Sequence, residues 1–145
     1  MSSTSGVAAM TVGKSAVRWK IFVVMLSLIA INYVDRASLS VAMPYISQEF
    51  HIGPAMEGLI LSSFFWTYAV MQIPGGMLAD RFKPRIVIAM ATVFWGFFQA
   101  IAALCTNAPS LLLTRLGLGA SEAPIYPAGG KLNAIWMTQN ERGRG

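Results

Sequence analysis

The chain has 145 residues, of which 55% are apolar and 12% are charged, and its formal net charge is +5. A soluble domain has about 25% charged residues, so this composition leaves too little polar surface for an ordinary soluble fold. The basic residues lie between apolar stretches, unlike the basic stripe of a nucleic-acid-binding protein, and a single cysteine and a single histidine exclude an internal disulfide and a two-histidine metal site.

We expect an all-α membrane protein with four transmembrane helices and no metal or cofactor. The predicted helices cover about residues 21–42, 58–79, 86–105 and 111–137, within a bundle of residues 19–138. Residues 1–18 are predicted to form a cytoplasmic tail, and residues 139–145 the start of a cytoplasmic loop. The second and third helices lie in uncharged runs that provide the 20 or so residues needed to cross a bilayer.

The N-terminal segment resembles a secretory signal peptide, because Lys14, Arg18 and Lys20 precede an apolar run. The run is longer than that of a signal peptide, has no evident A-x-A cleavage site, and contains Asp35 and Arg36. We therefore interpret it as an uncleaved first transmembrane helix.

The lysines and arginines that flank the predicted helices indicate the orientation. With four crossings, the two loops on one side of the membrane contain no lysine or arginine. Eight such residues fall on the other side, namely Lys14, Arg18, Lys20, Arg81, Lys83, Arg85, Arg142 and Arg144. The positive-inside rule therefore predicts that both ends of the chain lie in the cytoplasm. We expect the bundle to lie in the cell (inner) membrane.

Four charged residues lie inside predicted spans: Asp35, Arg36, Arg115 and Glu122. Each charge near the bilayer centre costs roughly 2.5–3.5 kcal/mol, so such residues face the bundle interior or water and are candidates for function. Asn32 lies three residues before Asp35 and four before Arg36, so the three side chains share one helix face. Arg115 and Glu122 are seven residues apart, so they also share a face.

Together these residues are suited to line a polar cavity. An arginine presents a planar fork that matches a carboxylate, and a desolvated acid beside an arginine can exchange its proton. These are the components of a proton-coupled carrier of organic anions. A structural alternative, compatible with the first, is that Asp35 and Glu122 neutralise Arg36 and Arg115 and join helix one to helix four. Lys131 faces away from Glu122, and the sequence assigns it no role.

The loop after the second helix carries a family motif. Residues 76–81, G-M-L-A-D-R, followed by basic residues, resemble the signature loop of the major facilitator superfamily. The sequence departs from that signature at Lys83, where glycine is usual, and at Pro84, where a basic residue is common.

Further motifs narrow the resemblance. N-Y-V-D-R at residues 32–36, R-x-G-x-G-x-x-E-A-P at 115–124 and E-R-G at 141–143 are similar to the anion:cation symporter family of that superfamily. The likeness covers the chain from about Trp19 onward. Members carry organic anions such as hexuronates, galactonate, glucarate, tartrate or phthalate, usually with protons.

The resemblance implies roles for nine residues in three groups. The positions that match substrate contacts are Tyr33, Arg36 and Tyr68. The positions that match proton coupling are Asp35 and Glu122, together with the linked Arg115. The positions that match the cytoplasmic gate are Gly76, Asp80 and Arg81.

Family members have twelve helices in two six-helix halves, with the substrate between them. The resemblance therefore implies that this chain is part of the N-terminal half, that the C-terminal half is missing, and that the chain alone does not transport. The alternative is a standalone four-helix membrane assembly or regulatory subunit. An enzyme is not expected, because the sequence has no H-E-x-x-H, G-x-S-x-G or phosphate-binding loop.

Overall fold

The chain folds into α-helices joined by short loops. A computed structural model describes residues 4–136, and within them the side chains of residue 17 and residues 19–135. The helices of this described part are α1 Thr4–Glu49, α2 Pro54–Arg81, α3 Pro84–Ala102, α4 Ala108–Glu122 and α5 Ile125–Trp136. The predicted all-α class is confirmed, whereas the loop expected at 139–145 lies outside the described residues.

Within the described residues, two helical segments are long and apolar enough to cross a membrane, namely Trp19–Glu49 of α1 and Pro84–Ala102, which is α3. The count of four crossings stays a prediction. Pro54 and Pro84 occupy the first positions of α2 and α3, where a missing N–H removes no helical hydrogen bond. Asn107 begins α4, and its Oδ1 accepts a hydrogen bond of 2.9 Å from the Ser110 N–H.

The first helix is longer than predicted at both ends. It begins at Thr4, within the segment expected to be a tail, and continues through Pro44 to Glu49. A proline inside a helix costs about 3 kcal/mol. Burial beyond the proline offsets this cost, because Ile46 and Phe50 pack in the same cluster as Met43, which is only 1% exposed.

The fourth predicted helix, 111–137, is two helices rather than one. The chain turns at Ala123 and Pro124, between α4 and α5. The ring of Pro124 has no N–H to donate to the preceding turn, so the α4 ladder stops there. Pro127 lies in the first turn of α5, where a proline is tolerated.

The helices pack around α4, which contacts α2 along its length and α3 on another side, while α5 continues between α2 and α3. Three apolar clusters form the core. The Met43 cluster closes one end of the bundle, the Phe64 cluster, with Trp95 and Leu118, lies in the middle, and the Ala79 cluster, with Met25 and Val87, closes the other end. The candidate site lies between the first two.

Candidate functional site

One cavity brings together the four charged residues of the predicted spans. It has a volume of about 120 Å³ and lies among α1, α2, α3 and α4. Its polar lining residues are Asp35, Arg36, Ser40, Gln99, Arg115 and Glu122. The spacing of the four charged residues on two predicted helices indicated shared faces, and in the structure those faces meet at this cavity.

The centre of the cavity is an ion pair between Arg36 and Glu122. Arg36 Nη2 lies 3.0 Å from Glu122 Oε2, and the same nitrogen donates to Asn32 Oδ1 at 3.1 Å. Glu122 and Asn32 are 3% and 4% exposed. A charge-assisted hydrogen bond in such a buried place is stronger than one in water, so the pair joins α1 to α4.

An aromatic wall surrounds the guanidinium of Arg36. Its Cζ lies 4.5 Å from the ring centroid of Phe64, 5.1 Å from that of Tyr68 and 5.8 Å from that of Tyr33. Such cation–π contacts hold a planar guanidinium in place without consuming its N–H donors. Tyr126 meets Tyr68 edge to face at 6.3 Å, so α5 also reaches this wall.

Asp35 contacts α3 rather than an arginine. Its Oδ2 accepts a hydrogen bond of 3.0 Å from Trp95 Nε1. Of the two carboxylates that the structural alternative pairs with arginines, Glu122 forms an ion pair with Arg36. Asp35 forms none within the described residues. Trp95 was not identified from the sequence, because an indole in an apolar run gives no sign of its partner.

Arg115 is the unpaired cation of the cavity. It is 8% exposed, and no carboxylate of the described residues lies within ion-pair distance of its guanidinium. Three buried atoms around the cavity lack a hydrogen-bond partner, namely Arg36 Nε, Arg115 Nε and Gln99 Oε1. Buried polar groups are nearly always satisfied. These two donors and one acceptor can therefore bind an anion, a hydroxyl or water in the cavity.

Gln99 is also absent from the sequence-based site. It is the only amide side chain in the predicted third helix, and it lies one turn after Trp95. That spacing places both polar groups on one face of α3. A polar residue in an otherwise uncharged span was the available signal for this wall of the cavity.

Glycines allow α4 and α5 to approach α2 closely. A Cβ at Gly119 would overlap the Phe64 carbonyl oxygen and the Thr67 hydroxyl, and a Cβ at Gly75 would lie 2.9 Å from Pro124 Cα. Small residues are typical where membrane helices approach one another. These contacts bring Arg115 and Glu122 of α4 towards the aromatic wall.

The residues expected at the gate lie apart from the cavity, near the other end of α2. Asp80 Oδ1 is 3.1 Å from Lys131 Nζ, and Lys131 also donates to the Ala79 carbonyl at 2.8 Å. The Asp80 side chain is 81% exposed. Gly76 faces Pro127, and Arg81 is exposed. Lys131, which the sequence left without a role, therefore joins α5 to the end of α2.

Among the described residues, no three histidine, cysteine, aspartate or glutamate side chains are grouped so that they could hold a metal ion. The cavity is lined by two guanidinium groups, two carboxyl groups and an unsatisfied amide oxygen. Such groups can bind anions and exchange protons.

Several curated proteins are similar to this chain. It is 36% identical over 136 residues to the probable galactarate/D-glucarate transporter of Bacillus subtilis (strain 168), which covers 90% of this chain and 30% of that protein. It is 40% identical over 114 residues to the probable L-galactonate transporter of Escherichia coli (strain K12), covering 79% and 25%. It is 34% identical over 126 residues to the probable sulfoacetate transporter of Cupriavidus necator, covering 87% and 29%.

The chain thus spans less than a third of the length of these relatives. The model of the Major Facilitator Superfamily matches residues 25–145. The matched residues include all the residues that line the polar cavity and the loop between α2 and α3. The chain belongs to the major facilitator superfamily.

Proposed function

We propose that the chain forms part of a transporter that moves an organic anion, a sugar acid or another carboxylate, across the inner membrane by alternating access with protons. The observation that carries this proposal is the cavity in which Arg36, Arg115, Asp35 and Glu122 converge. Charges in a membrane are costly, and they occur where a substrate or ion path needs them. The names of the similar proteins, which include transporters of galactarate, D-glucarate and L-galactonate, agree with a carboxylate substrate.

Arg36 binds the substrate carboxylate in this proposal. Its guanidinium has five N–H donors, of which the Nη2 group bonds Asn32 and Glu122 and the buried Nε bonds no residue. A carboxylate that enters the cavity replaces Glu122 as the partner of Arg36. Tyr33 and Tyr68, which flank the guanidinium, provide hydroxyls for the rest of a polyhydroxylated substrate.

Glu122 couples the substrate to a proton. A proton on Glu122, whose side chain is only 3% exposed, removes its negative charge, so Arg36 loses its counter-ion. The bare guanidinium then attracts the anion more strongly than before. One proton and one carboxylate enter together, and the net charge of the cavity stays constant. Asp35 is a second proton acceptor, and Arg115 balances its charge.

We also propose four membrane crossings, of which α4 and α5 together make the fourth. The 29 residues from the start of α4 to the end of α5 extend about 40 Å at 1.5 Å per residue, which suffices to cross a bilayer. Both termini then lie in the cytoplasm. Gly76, Asp80 and Arg81 form the cytoplasmic gate, and Lys131 is part of it.

Transport requires a second wall opposite the cavity. Tyr33 is 61% exposed although it lies beside Arg36, so the described residues leave this side of the site uncovered. The similar proteins are more than three times as long as the segment they share with this chain. We expect the 145 residues alone, reconstituted into vesicles, to give no uptake of sugar acids driven by a proton gradient.

A chimera tests the function directly. Residues of this chain replace the matching 25% of the Escherichia coli L-galactonate transporter, which is 40% identical there. Uptake of labelled L-galactonate is measured in cells that lack their own transporter, with and without a proton gradient. We expect the chimera to accumulate L-galactonate, because the segment inserted from this chain supplies an equivalent wall of the cavity.

Variants of the chimera assign the roles. Arg36→Ala is expected to abolish uptake, because the carboxylate loses its partner. Glu122→Gln is expected to abolish accumulation against a gradient while preserving exchange of labelled for unlabelled substrate. Glu57→Gln, which changes a carboxylate outside the cavity, is the matched control. A chimera with Arg36→Ala that is present in the membrane and transports normally would refute the assignment.

A further inference from the structure

Asn32 is a buried polar residue beside the arginine at the centre of the cavity. It is 4% exposed, and its Oδ1 accepts a hydrogen bond of 3.1 Å from Arg36 Nη2. A guanidinium has only N–H donors, so the amide oxygen of Asn32, and not its nitrogen, must face Arg36. Glu122, the other acceptor of the same nitrogen, is 3% exposed. The described residues enclose both acceptors, so these contacts do not depend on an open face of the bundle.

The two acceptors of Arg36 Nη2 differ in charge. The nitrogen has two N–H groups, which suffice for one bond to each acceptor. Glu122 has a charge that a proton removes, whereas the amide of Asn32 is neutral and takes up no proton. The bond to Asn32 therefore persists whether or not Glu122 is protonated, and the amide does not compete with an incoming carboxylate through its charge.

The two acceptors also differ in their attachment to the bundle. Asn32 lies one turn before Arg36, so their bond lies within α1. The bond to Glu122 joins α1 to α4 across 86 residues of sequence. A substrate that displaces Glu122, or a rotation of α1 against α4, breaks the second bond and leaves the first. Phe64 packs on the guanidinium at 4.5 Å but offers no acceptor in place of Asn32.

We propose that Asn32 is a positioning residue, which holds the Arg36 guanidinium in the binding position after Glu122 has released it. The proposal rests on the proposed function, because it gives Asn32 a part in that transport cycle. A flexible side chain that must be ordered when a ligand binds lowers the affinity. Asn32 keeps Arg36 ordered without adding a second negative charge. Release of Glu122 frees one N–H of Nη2, and the neighbouring Nε has no partner, so donors are available to the carboxylate while the bond to Asn32 stays.

A change of charge at constant shape gives the first test, in the chimera with the Escherichia coli L-galactonate transporter. Asn32→Asp places a second carboxylate beside Arg36, so the guanidinium keeps a counter-ion even when Glu122 is protonated. We expect uptake and exchange of labelled L-galactonate both to fall about 100-fold, since like charges repel strongly in a buried site. Asn107→Asp, which adds the same charge at the start of α4, is the matched control and should leave both unchanged, because either residue caps a helix.

A double variant separates charge from misfolding. N32D/E122Q leaves one carboxylate beside Arg36, as in the original sequence, and only moves it from α4 to α1. We expect exchange to recover to within about tenfold of the original chimera, because the repulsion between two carboxylates is removed. A fold damaged by the change at Asn32 would not recover in this way. The amount of each variant in the membrane is measured by immunoblot.

Removal of the acceptor gives the second test. Asn32→Leu keeps a similar volume but has no acceptor, so Arg36 must be ordered anew each time that substrate binds. The half-saturating concentration of L-galactonate in exchange should rise about tenfold, and the maximal rate should change less than about twofold. Partial misfolding would give the opposite result, because fewer folded transporters lower only the maximal rate.

Nitrogen-15 NMR of the arginine side chains observes the bond without transport. The purified 145-residue chain is studied in micelles as the Glu122→Gln and N32L/E122Q variants, and Arg36→Ala identifies the signals of Arg36. A hydrogen bond at Nη2 slows rotation about the Cζ–Nη2 axis. We therefore expect separate Nη1 and Nη2 signals for Arg36 in Glu122→Gln, and one averaged signal in N32L/E122Q.

Each measurement has a result that would overturn the proposal. These results are normal transport by Asn32→Asp, an equal loss in Asn107→Asp, no recovery in N32D/E122Q, an unchanged half-saturating concentration in Asn32→Leu, and separate Nη signals in N32L/E122Q. A chimera of the original sequence that accumulates no L-galactonate would instead refute the proposed function, and the NMR comparison would still decide whether Asn32 holds Arg36.

Discussion

The described part of the chain contains two cross-helix ion pairs of similar length in different surroundings. Arg36 and Glu122 meet at 3.0 Å beside the cavity, and the glutamate side chain is 3% exposed. Lys131 and Asp80 meet at 3.1 Å near the far end of α2, and the aspartate side chain is 81% exposed. The basic side chains are 25% and 35% exposed, so the burial of the carboxylate is what distinguishes the two pairs.

Burial changes what each pair contributes. A buried charge that loses its partner is left without water or counter-ion, and removal of one partner costs about 3–5 kcal/mol. An exposed pair competes with water and salt, and its contribution is about 0–1 kcal/mol. The cavity pair thus holds α1 to α4, while the exposed pair is suited to form and break at little cost.

The largest expected effect is at Glu122. Glu122→Ala should lower the free energy of unfolding by about 3 kcal/mol, because Arg36 loses its counter-ion in the cavity. The measurement is unfolding in mixed micelles by added sodium dodecyl sulfate, followed by circular dichroism. R36M/E122L removes both charges and should recover most of the loss, since apolar side chains often replace a buried pair without cost. A loss below about 1 kcal/mol in the single variant would make the two pairs equivalent.

The next effect is at Gly119, which lets α4 approach α2 beside the cavity. Gly119→Ala should destabilise by about 2 kcal/mol, because the new methyl group overlaps the Phe64 carbonyl oxygen and the helices must separate. The matched control is Gly130→Ala, since a Cβ there meets nothing within 4 Å. Alanine is the better helix former, so the control should be neutral or slightly stabilising. Equal behaviour of the two variants would contradict the close approach.

A smaller effect is expected at Trp95. Trp95→Phe keeps an aromatic ring but removes the N–H that Asp35 accepts at 3.0 Å. The expected loss is about 1.5 kcal/mol, typical of a hydrogen bond to a charged group. Trp66→Phe is the control, because Trp66 is 71% exposed. The same micelle titration measures both, and an equal loss would show that Asp35 does not depend on the indole.

The smallest effect is at the exposed pair. Asp80→Asn keeps the shape of the side chain and should cost less than about 1 kcal/mol. The difference from the original sequence should vanish in 1 M salt, where the Debye length is about 3 Å. Glu122→Ala should keep most of its cost at the same salt concentration, because its partner is screened less. A salt-independent loss for Asp80→Asn would contradict the contrast between the pairs.

The sequence indicated the helical class through its long apolar runs, and it indicated the four charged residues of the cavity through one physical argument. A charge in an apolar run is costly, so Asp35, Arg36, Arg115 and Glu122 stood out without any structure. Their helical spacing then indicated shared faces. The function inferred from them, and the roles taken from the family resemblance, remain predictions that the chimera and its variants test.

The sequence could not predict which carboxylate meets which arginine. Such partners depend on how helices pack and rotate, and side-chain spacing on one helix contains no information about the next. The pairing of Asp35 with Trp95 and that of Asp80 with Lys131 both cross between helices. Lys131 received no role because its partner is 51 residues away in the sequence.

The prolines also show what the sequence alone could not predict, namely whether a helix ends at a proline. Pro44 and Pro74 lie inside continuous helices, whereas the chain turns at Pro124. Burial around Met43 carries α1 past its proline. Ala123 is fully buried and Pro124 packs on Gly75, so the turn there is also fixed by packing. Tertiary contacts, rather than the residue type, decide whether a helix survives its proline.

The turn at Pro124 makes α5 a short lever. Glu122 is the last residue of α4, and Lys131 lies six residues into α5, about 9 Å beyond the turn. A tilt of about 10° at the turn therefore displaces the start of the Lys131 side chain by about 1.5 Å, a large part of its 3.1 Å contact with Asp80. The buried pair lies beside the turn, and the exposed pair lies about 9 Å along α5. A small angular change at the cavity is thus amplified where the helix contacts are easiest to break.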